Sequence, residues 1–324
     1  MSLRSSVLNA TYAILRYSPV QVAFRRRSAE RLAVLSYHEV ADAEVFDTQL
    51  AYLALRARPV SLDDLLDALR RGTALPRRAV LLTFDDADPS HLGIAAPLLH
   101  TRGIPAVAFV VTALLDTQEH FWFEEVSALV AAGATVEAGG SALLPAGLSP
   151  AGALERLKRL SDAERRTTIA RLRAAAAAAG IALLPRPQLR AADLPLLESA
   201  GIAIGSHTHS HACLDRCDEA TVRAEVGTAH ARLTEILGHE PSAFAYPGGY
   251  LDARVVAAVR EAGYPLAFAY DDHLSPWPPP DPLRVSRVRG NAHDGLHRLA
   301  LSLSGLHSAG WHAATRVRSA DKLL

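Results

Sequence analysis

Cysteine is nearly absent from this chain. Cys213 and Cys217 are the only two in 324 residues, too few for a disulfide framework, so disulfide-dependent folding is excluded and a reducing compartment, or indifference to redox, fits. An excess of charge of either sign is also lacking. Lys plus Arg and Asp plus Glu both number 34, which leaves no global electrostatic argument for nucleic acid or for a strongly acidic partner. The third absence is an unbroken apolar run near the start. Leu3 to Phe24 is moderately apolar and is flanked by Arg4 and Arg25-Arg26-Arg27, but Asn9, Thr11, Arg16, Tyr17, Ser18 and Pro19 interrupt it. Those interruptions argue against a signal peptide and against a spanning helix. Residues 1–30 are expected to form a helical segment packed on the domain, with peripheral contact to an anionic membrane as the alternative. The expected location is cytoplasmic, with the inner face of the membrane as its variant.

What is present centres on Ala79-Val80-Leu81-Leu82-Thr83-Phe84-Asp85-Asp86. A continuous aliphatic run of this length reads as a strand buried on both faces, hence a core strand of a parallel sheet. Such strands deliver reactive groups at their carboxyl ends, where the connecting loops form a crevice or a barrel mouth. Adjacent carboxylates repel, so Asp85 and Asp86 need a cation, a shared proton or open water. The bland alternative is a solvated acidic turn capping the next helix. The chain length suits one α/β barrel of roughly 200–250 residues carrying an insertion as well as it suits two separate domains.

Along the chain, Arg31 to Glu39 is a first strand that ends in His38. Helical spacing follows from Phe46 to Arg56 and from Leu62 to Arg71, the latter opening with Ser61-x-x-Asp64 and closing at Gly72. A helix from Ile94 to Thr101, stopped by Gly103, precedes an apolar strand from Pro105 to Thr112. Repeated strand–helix units of this kind imply a parallel sheet with right-handed crossovers, open or closed. From about 114 to 188 the pattern becomes Ala-rich and Arg-rich, which predicts a helical insertion. Within it Phe121-Trp122-Phe123 reads as core or as a sugar-stacking platform. The strand Gly201 to Ser206 then runs into His207-Thr208-His209-Ser210-His211. Imidazoles four apart share one face of a helical turn, so His207 and His211 are expected to converge on a cation while His209 points elsewhere, with an acidic strand end supplying a third ligand. Cys213 and Cys217 repeat that spacing but sit in a loop, and are expected not to be ligands. Later segments read as a helix from Asp252 to Ala262, a strand from Tyr264 to Tyr270, a rigid loop around Trp277 and a short strand from Arg284 to Val288. Residues 291–324 are expected to be a helix and a basic tail.

Thr83-Phe84-Asp85-Asp86 followed by His207-Thr208-x-x-His211 resembles the first two motifs of the polysaccharide deacetylase family, the NodB-homology carbohydrate esterases. The layout is similar from about Leu32 to Val288. The resemblance implies an α/β fold, a distorted (β/α) barrel over residues 31–290 with the insertion at about 114–188. It also implies metal-dependent removal of acetyl groups from N- or O-acetylated sugars or glycans. Asp86, His207 and His211 would hold the metal, and Asp85 would be the general base. Histidine-rich ligands favour zinc, and cobalt, nickel or manganese fit the same set.

The later motifs depart from the pattern. In Phe244-Ala245-Tyr246-Pro247-Gly248-Gly249, Ala245 stands where the family has an Arg that steadies the base, and Gly248 stands where it has an aromatic residue. A backbone N–H from Gly248 serves an oxyanion without any side chain. Arg284 or Arg287 is the expected substitute cation. Ala87 replaces a glycine after the aspartates. The family's late Leu-x-His acid has no good copy, since Leu306-His307, His293 and His297 fit poorly, and His38 is the expected general acid, with a structural role near Glu39 as its alternative. No Ser-His-Asp set offers a covalent route. Two other functions remain open: a non-catalytic glycan-binding barrel and an amide hydrolase for a small metabolite. The substrate expectation is a nucleotide-linked or lipid-linked acetamido sugar, or a glycan precursor.

Overall fold

The computed structural model describes residues 3–138 and 141–312. Its strands are β1 (Ala33–Tyr37), β2 (Arg58–Pro59), β3 (Ala79–Phe84), β4 (Ala106–Val110), β5 (Val136–Ala138), β6 (Ser141–Leu144), β7 (Ile202–Ser206), β8 (Ala243–Ala245), β9 (Leu266–Phe268) and β10 (Val288–Arg289). All but β5 and β6 join one parallel sheet in the order β10-β1-β3-β4-β7-β8-β9, with β2 paired to the first residues of β3. The sheet curls until its edges meet. Val285 bridges to Phe268 of β9, and three residues later Val288 and Arg289 pair with Leu35 and Ser36 of β1. The result is the distorted (β/α) barrel expected from the sequence.

Two apolar layers explain the continuous hydrophobic strands. Successive side chains point to opposite faces, so Leu35, Leu82 and Ala108 meet the outer helices while Val34, Leu81 and Val107 fill the barrel interior. Phe109 and Phe268 face each other inside at 5.6 Å between ring centres. Gly205 allows this packing, because a Cβ there would stand 2.6 Å from the Phe109 ring. Outside, helices Ala43–Arg56, Ala96–Arg102 and Leu194–Ser199 bury Leu50, Leu53, Leu99 and Leu197 against the sheet, each such side chain contributing about 1.5–3 kcal/mol. Helix Leu62–Arg71 starts at the expected capping box of Ser61 and Asp64 and stops at left-handed Gly72.

Four expectations of local structure change. A π-helical turn, His91–Ala95, precedes Ala96–Arg102, so the helix after the aspartates starts earlier than its spacing suggested. The short β2 was not legible, because two residues carry no periodicity. Pro282–Arg284 is a 3-10 turn, and only Val288–Arg289 extends as a strand. The insertion contains the antiparallel β5–β6 hairpin beside helices Trp122–Ala131, Pro150–Leu157 and Asp162–Ala178. The sequence carries a hairpin signal there, a Gly-Gly pair between two short apolar stretches, which the surrounding Ala-rich helices mask. The insertion has its own core around Val126, Leu129, Leu157, Ile169 and Leu172.

Helices Leu3–Arg16 and Pro19–Arg27 lie against helix Leu296–Ser304. Gln21 ties them together, donating to the Ala300 carbonyl at 2.9 Å and accepting from Ser304 Oγ at 2.8 Å. No helix among the described residues is long and apolar enough to cross a membrane. The expected basic tail falls on residues 313–324, outside the described residues.

Candidate active site

The carboxyl ends of β1, β3, β7 and β8 converge on one cleft of about 190 Å³. β3 places Asp85 in register, its N–H donating to the Tyr37 carbonyl at 2.9 Å. The chain then turns left-handed at Asp86 (φ 73) and Ala87 (φ 52), which aims the two neighbouring carboxylates differently. Ala87 thus holds a conformation that glycine adopts freely and that costs other residues about 1–2 kcal/mol. Of seven non-glycine residues with positive φ among those described, four are Asp86, Ala87, Thr208 and His211. Backbone strain is concentrated in the loops that carry the site.

His207 follows β7, and its Nδ1–H donates to the Ala245 carbonyl at 2.7 Å. That bond fixes the tautomer and leaves Nε2 as a free acceptor. His211 reaches the same point by a route the sequence did not predict. The segment between the histidines is no helical turn: Thr208 (φ 68) and His211 (φ 57) are left-handed, and Thr208 Oγ1 accepts from the His211 N–H at 3.0 Å. His209 points away, paired with Thr112 Oγ1 at 2.9 Å. Buried Glu225 holds the loop, accepting from the Ser210 N–H at 2.8 Å and from Ser210 Oγ at 2.5 Å.

Asp86 Oδ1 lies 3.7 Å from His207 Nε2 and 3.5 Å from His211 Nε2. The ligand atoms of all three residues lie within 4.8 Å of one another. Metal bonds of 2.0–2.1 Å in a tetrahedron separate ligand atoms by roughly 3.3–3.4 Å, close to what this group presents. Asp86 Oδ1 is buried without a hydrogen-bond partner among the described residues, an arrangement that costs free energy unless a cation faces it. Electrostatics agree. Burial first, then the charges of Asp85 and Glu124, push the Asp86 carboxyl well above the carboxylate range. Burial lowers His207 to about 4, and burial with the neighbouring His207 holds His211 well below the usual imidazole value. Two neutral imidazoles and a carboxylate that resists ionising alone form a donor set that fits a divalent cation. Neither Cys213 nor Cys217 belongs to it, and burial raises both thiols.

Asp85 has a different environment. Arg287 Nη1 donates to its Oδ1 at 2.7 Å, and Ser36 Oγ donates to its Oδ2 at 3.3 Å. Burial opposes ionisation, but Arg287, with His207 and His38 nearby, outweighs it and holds the carboxyl well below its ordinary value. Arg287 is itself fully buried and donates through Nε to the Ala269 carbonyl at 2.8 Å. Of the two arginines expected as substitutes for the missing one at Ala245, Arg287 fills the place. Arg284 pairs with Asp281 at 3.3 Å instead.

The remaining expected residues also line the cleft. His38, exposed at the end of β1, sets its ring edge toward Tyr270 at 6.2 Å between centres. Gly248 (φ 59) faces the cleft, and its N–H has no acceptor among the described residues. His297 and His307, discounted as acids, sit at the terminal helices, where they meet Arg16 and Tyr12. Trp277 donates to Thr73 at 3.2 Å and packs at the other end of the barrel interior.

Two residues of the cleft were not singled out from sequence. Lys158 and Tyr250 line the cleft, with the Lys158 ammonium 6.0 Å from the Tyr250 ring centre. Neither carries a sequence signal, because each reaches the site only through the fold. Trp122 was noted as core or platform. Its Nε1–H donates to the His211 carbonyl at 3.0 Å while Phe123 packs against the His211 ring at 5.0 Å. The insertion therefore helps to position His211 rather than merely covering it.

Comparison with known proteins gives a consistent result. A family model described as polysaccharide deacetylase matches residues 72–179 and 190–267. A search of curated proteins found no match. Among solved structures, the deacetylase PplD of Streptococcus pyogenes, in complex with acetate, is 17% identical with a TM-score of 0.55, covering 84% of this chain and 98% of that one. IcaB from Ammonifex degensii is 20% identical with a TM-score of 0.56, covering 86% and 97%. A de-N-acetylase from Aggregatibacter actinomycetemcomitans is 15% identical with a TM-score of 0.57, covering 84% and 99%.

Proposed function

Because the chain belongs to the polysaccharide deacetylase family, we propose that it is a metal-dependent hydrolase that removes an acetyl group from an N-acetylated sugar or glycan. The observation that carries this reading is the Asp86, His207 and His211 donor group beside an Asp85 held by Arg287. Asp86, His207 and His211 would hold the cation, with zinc the best match to two imidazoles and a carboxylate. When bound, a divalent ion supplies Lewis-acid polarisation of the acetyl carbonyl and acidifies a water.

The chain's own residues supply the rest. Asp85, kept ionised by Arg287, takes the proton of the attacking water as general base. A carboxylate held below its ordinary range is a weak base, which the acidification a divalent ion would give the water would offset. The Gly248 N–H donates to the developing oxyanion, a role that needs no side chain. His38 gives a proton to the departing amine. Arg287 supplies beside Asp85 the charge that Ala245 lacks, which supports a catalytic reading over a glycan-binding barrel.

The test is acetate release from a panel of N-acetylated sugars and oligomers by wild type and Asp85→Asn, with metal content measured on the same samples. Release by a metal-loaded wild type that disappears in Asp85→Asn supports the proposal. Failure to take up metal after zinc repletion overturns it.

A further inference from the structure

The end of the barrel opposite the cleft has its own chemistry. Ala33 and Ala79, the first residues of β1 and β3, floor a cavity of about 270 Å³ walled by Arg16, Arg25, Arg31, Arg56 and Arg78. No Asp or Glu lines it. Arg31 donates to the Leu274 carbonyl at 3.1 Å, and Arg16 lies 5.0 Å from the Tyr52 ring centre. None of the five forms an ion pair with a carboxylate among the described residues. Elsewhere arginines are matched: Arg102 with Asp47, Arg173 with Glu125, Arg298 with Asp294. A second cavity of about 390 Å³ shares Ser28, Arg31 and Ser304 with the first, adds Arg27 and Phe24, and likewise lacks an acidic residue. In a chain whose charges balance at 34 each, the two cavities gather six arginines with no acidic residue lining them, and Glu30 beside them pairs with Arg77.

Exposed apolar side chains are concentrated on the helices that wall this cavity. Of nine large hydrophobic side chains exposed among the described residues, six are Leu8, Ile14, Tyr17, Val20, Val22 and Leu55. Ile14, Tyr17 and Leu55 are 74%, 75% and 74% accessible. Tyr17 and Val22 line the arginine cavity itself. The inner sides of these helices are already satisfied by Leu296–Ser304, so the exposed residues form an outer face. Guanidinium groups match phosphate in geometry and charge. Exposed aliphatic and aromatic side chains interleaved with arginine suit the boundary between headgroups and acyl chains.

We propose that this end of the barrel docks on an anionic lipid bilayer, with the arginine cavity receiving a lipid phosphate and Ile14, Tyr17, Val20 and Leu55 entering the interface. The proposal is independent of the reaction. Its consequence concerns orientation. β3 runs from Ala79 at the docking end to Phe84 beneath the cleft, and at about 3.3 Å per residue the cleft lies up to roughly 20 Å farther along the strand. A docked molecule opens its cleft away from the lipid, so it acts on sugars standing clear of the headgroup layer.

The experiment is flotation of the full-length, metal-loaded protein with phosphatidylcholine vesicles that contain or lack phosphatidylglycerol, at low and high salt. Wild type is expected to float with the anionic vesicles only, and less at high salt. An Arg25→Gln, Arg27→Gln, Arg56→Gln variant is expected to partition roughly a hundredfold more weakly, at about fivefold per charge. Ile14→Ser with Leu55→Ser is expected to weaken partitioning at either salt concentration. All five positions are exposed, and an unchanged unfolding midpoint verifies that the variants fold, whether or not a substrate is known. Absence of flotation, equal flotation with neutral vesicles, or an undiminished triple variant overturns the proposal. So does protection against unfolding by inorganic phosphate without vesicle binding, which would make the cavity a site for soluble phosphate.

Discussion

Arg287 donates to Asp85 at 2.7 Å although the two residues stand 202 positions apart, and both side chains are almost wholly excluded from solvent. The guanidinium arrives on the segment that closes the barrel between β9 and β1, so the charge that does most to keep Asp85 ionised comes from the same segment that closes the fold. Removing one partner of a buried pair strands the other charge, at a cost of about 3–5 kcal/mol. Arg287→Met is expected to lose that much stability in the metal-free protein at neutral pH.

The pH dependence of that loss has a definite sign. Asp85 has a folded pKa below its unfolded value of roughly 3.9, so its stabilisation is complete above that value and is lost as pH falls through the folded pKa. The gap between wild type and Arg287→Met in urea unfolding should be widest near neutrality and should narrow on acidification. A gap that is constant with pH would mean that Arg287 acts only by packing.

Metal uptake tests the three proposed ligands against their surroundings. His207→Ala, His211→Ala and Asp86→Asn are each expected to weaken zinc binding by more than about 100-fold, beyond the 10–100-fold typical of outer partners. Trp122→Phe keeps an aromatic ring, smaller than the indole, but loses the hydrogen bond to the His211 carbonyl, worth about 1 kcal/mol net, and should cost about fivefold. Competition with a chromogenic chelator measures all four.

His38→Gln tests the acid. Loss of general acid catalysis lowers kcat by about 10²–10⁴-fold, and metal content should stay unchanged. The variant should retain activity on an aryl acetate, whose leaving group needs no proton. Equal losses on both substrates would assign His38 a binding or structural role.

Gly248→Ala tests the oxyanion donor. A Cβ there would lie 2.5 Å from the Tyr250 ring, at a backbone φ of 59, so the ring or the N–H must move. Complete loss of such a donor costs about 10²–10³ in kcat, and displacement is expected to cost at least about tenfold, with KM for the metal-loaded enzyme changed less than kcat.

The sequence by itself determined the barrel strands and the residues at their ends. Leu81-Leu82 and Val107-Ala108 are apolar on both faces because each strand lies between two layers, and that pattern survives any rearrangement of the loops. Asp85, Asp86, His207 and His38 were legible because each directly follows such a strand, where connecting loops must open. Tertiary structure alone decided the rest. Nothing local distinguishes Arg287 from Arg284: closure of the barrel brings one to Asp85 and leaves the other with Asp281. His211 converges with His207 through left-handed turns and a tryptophan from the insertion, not through helical spacing. The arginines at the opposite end are scattered from Arg16 to Arg78 in a chain of zero net charge. Only folding gathers them, because positions distant along the chain become neighbours where strands begin side by side.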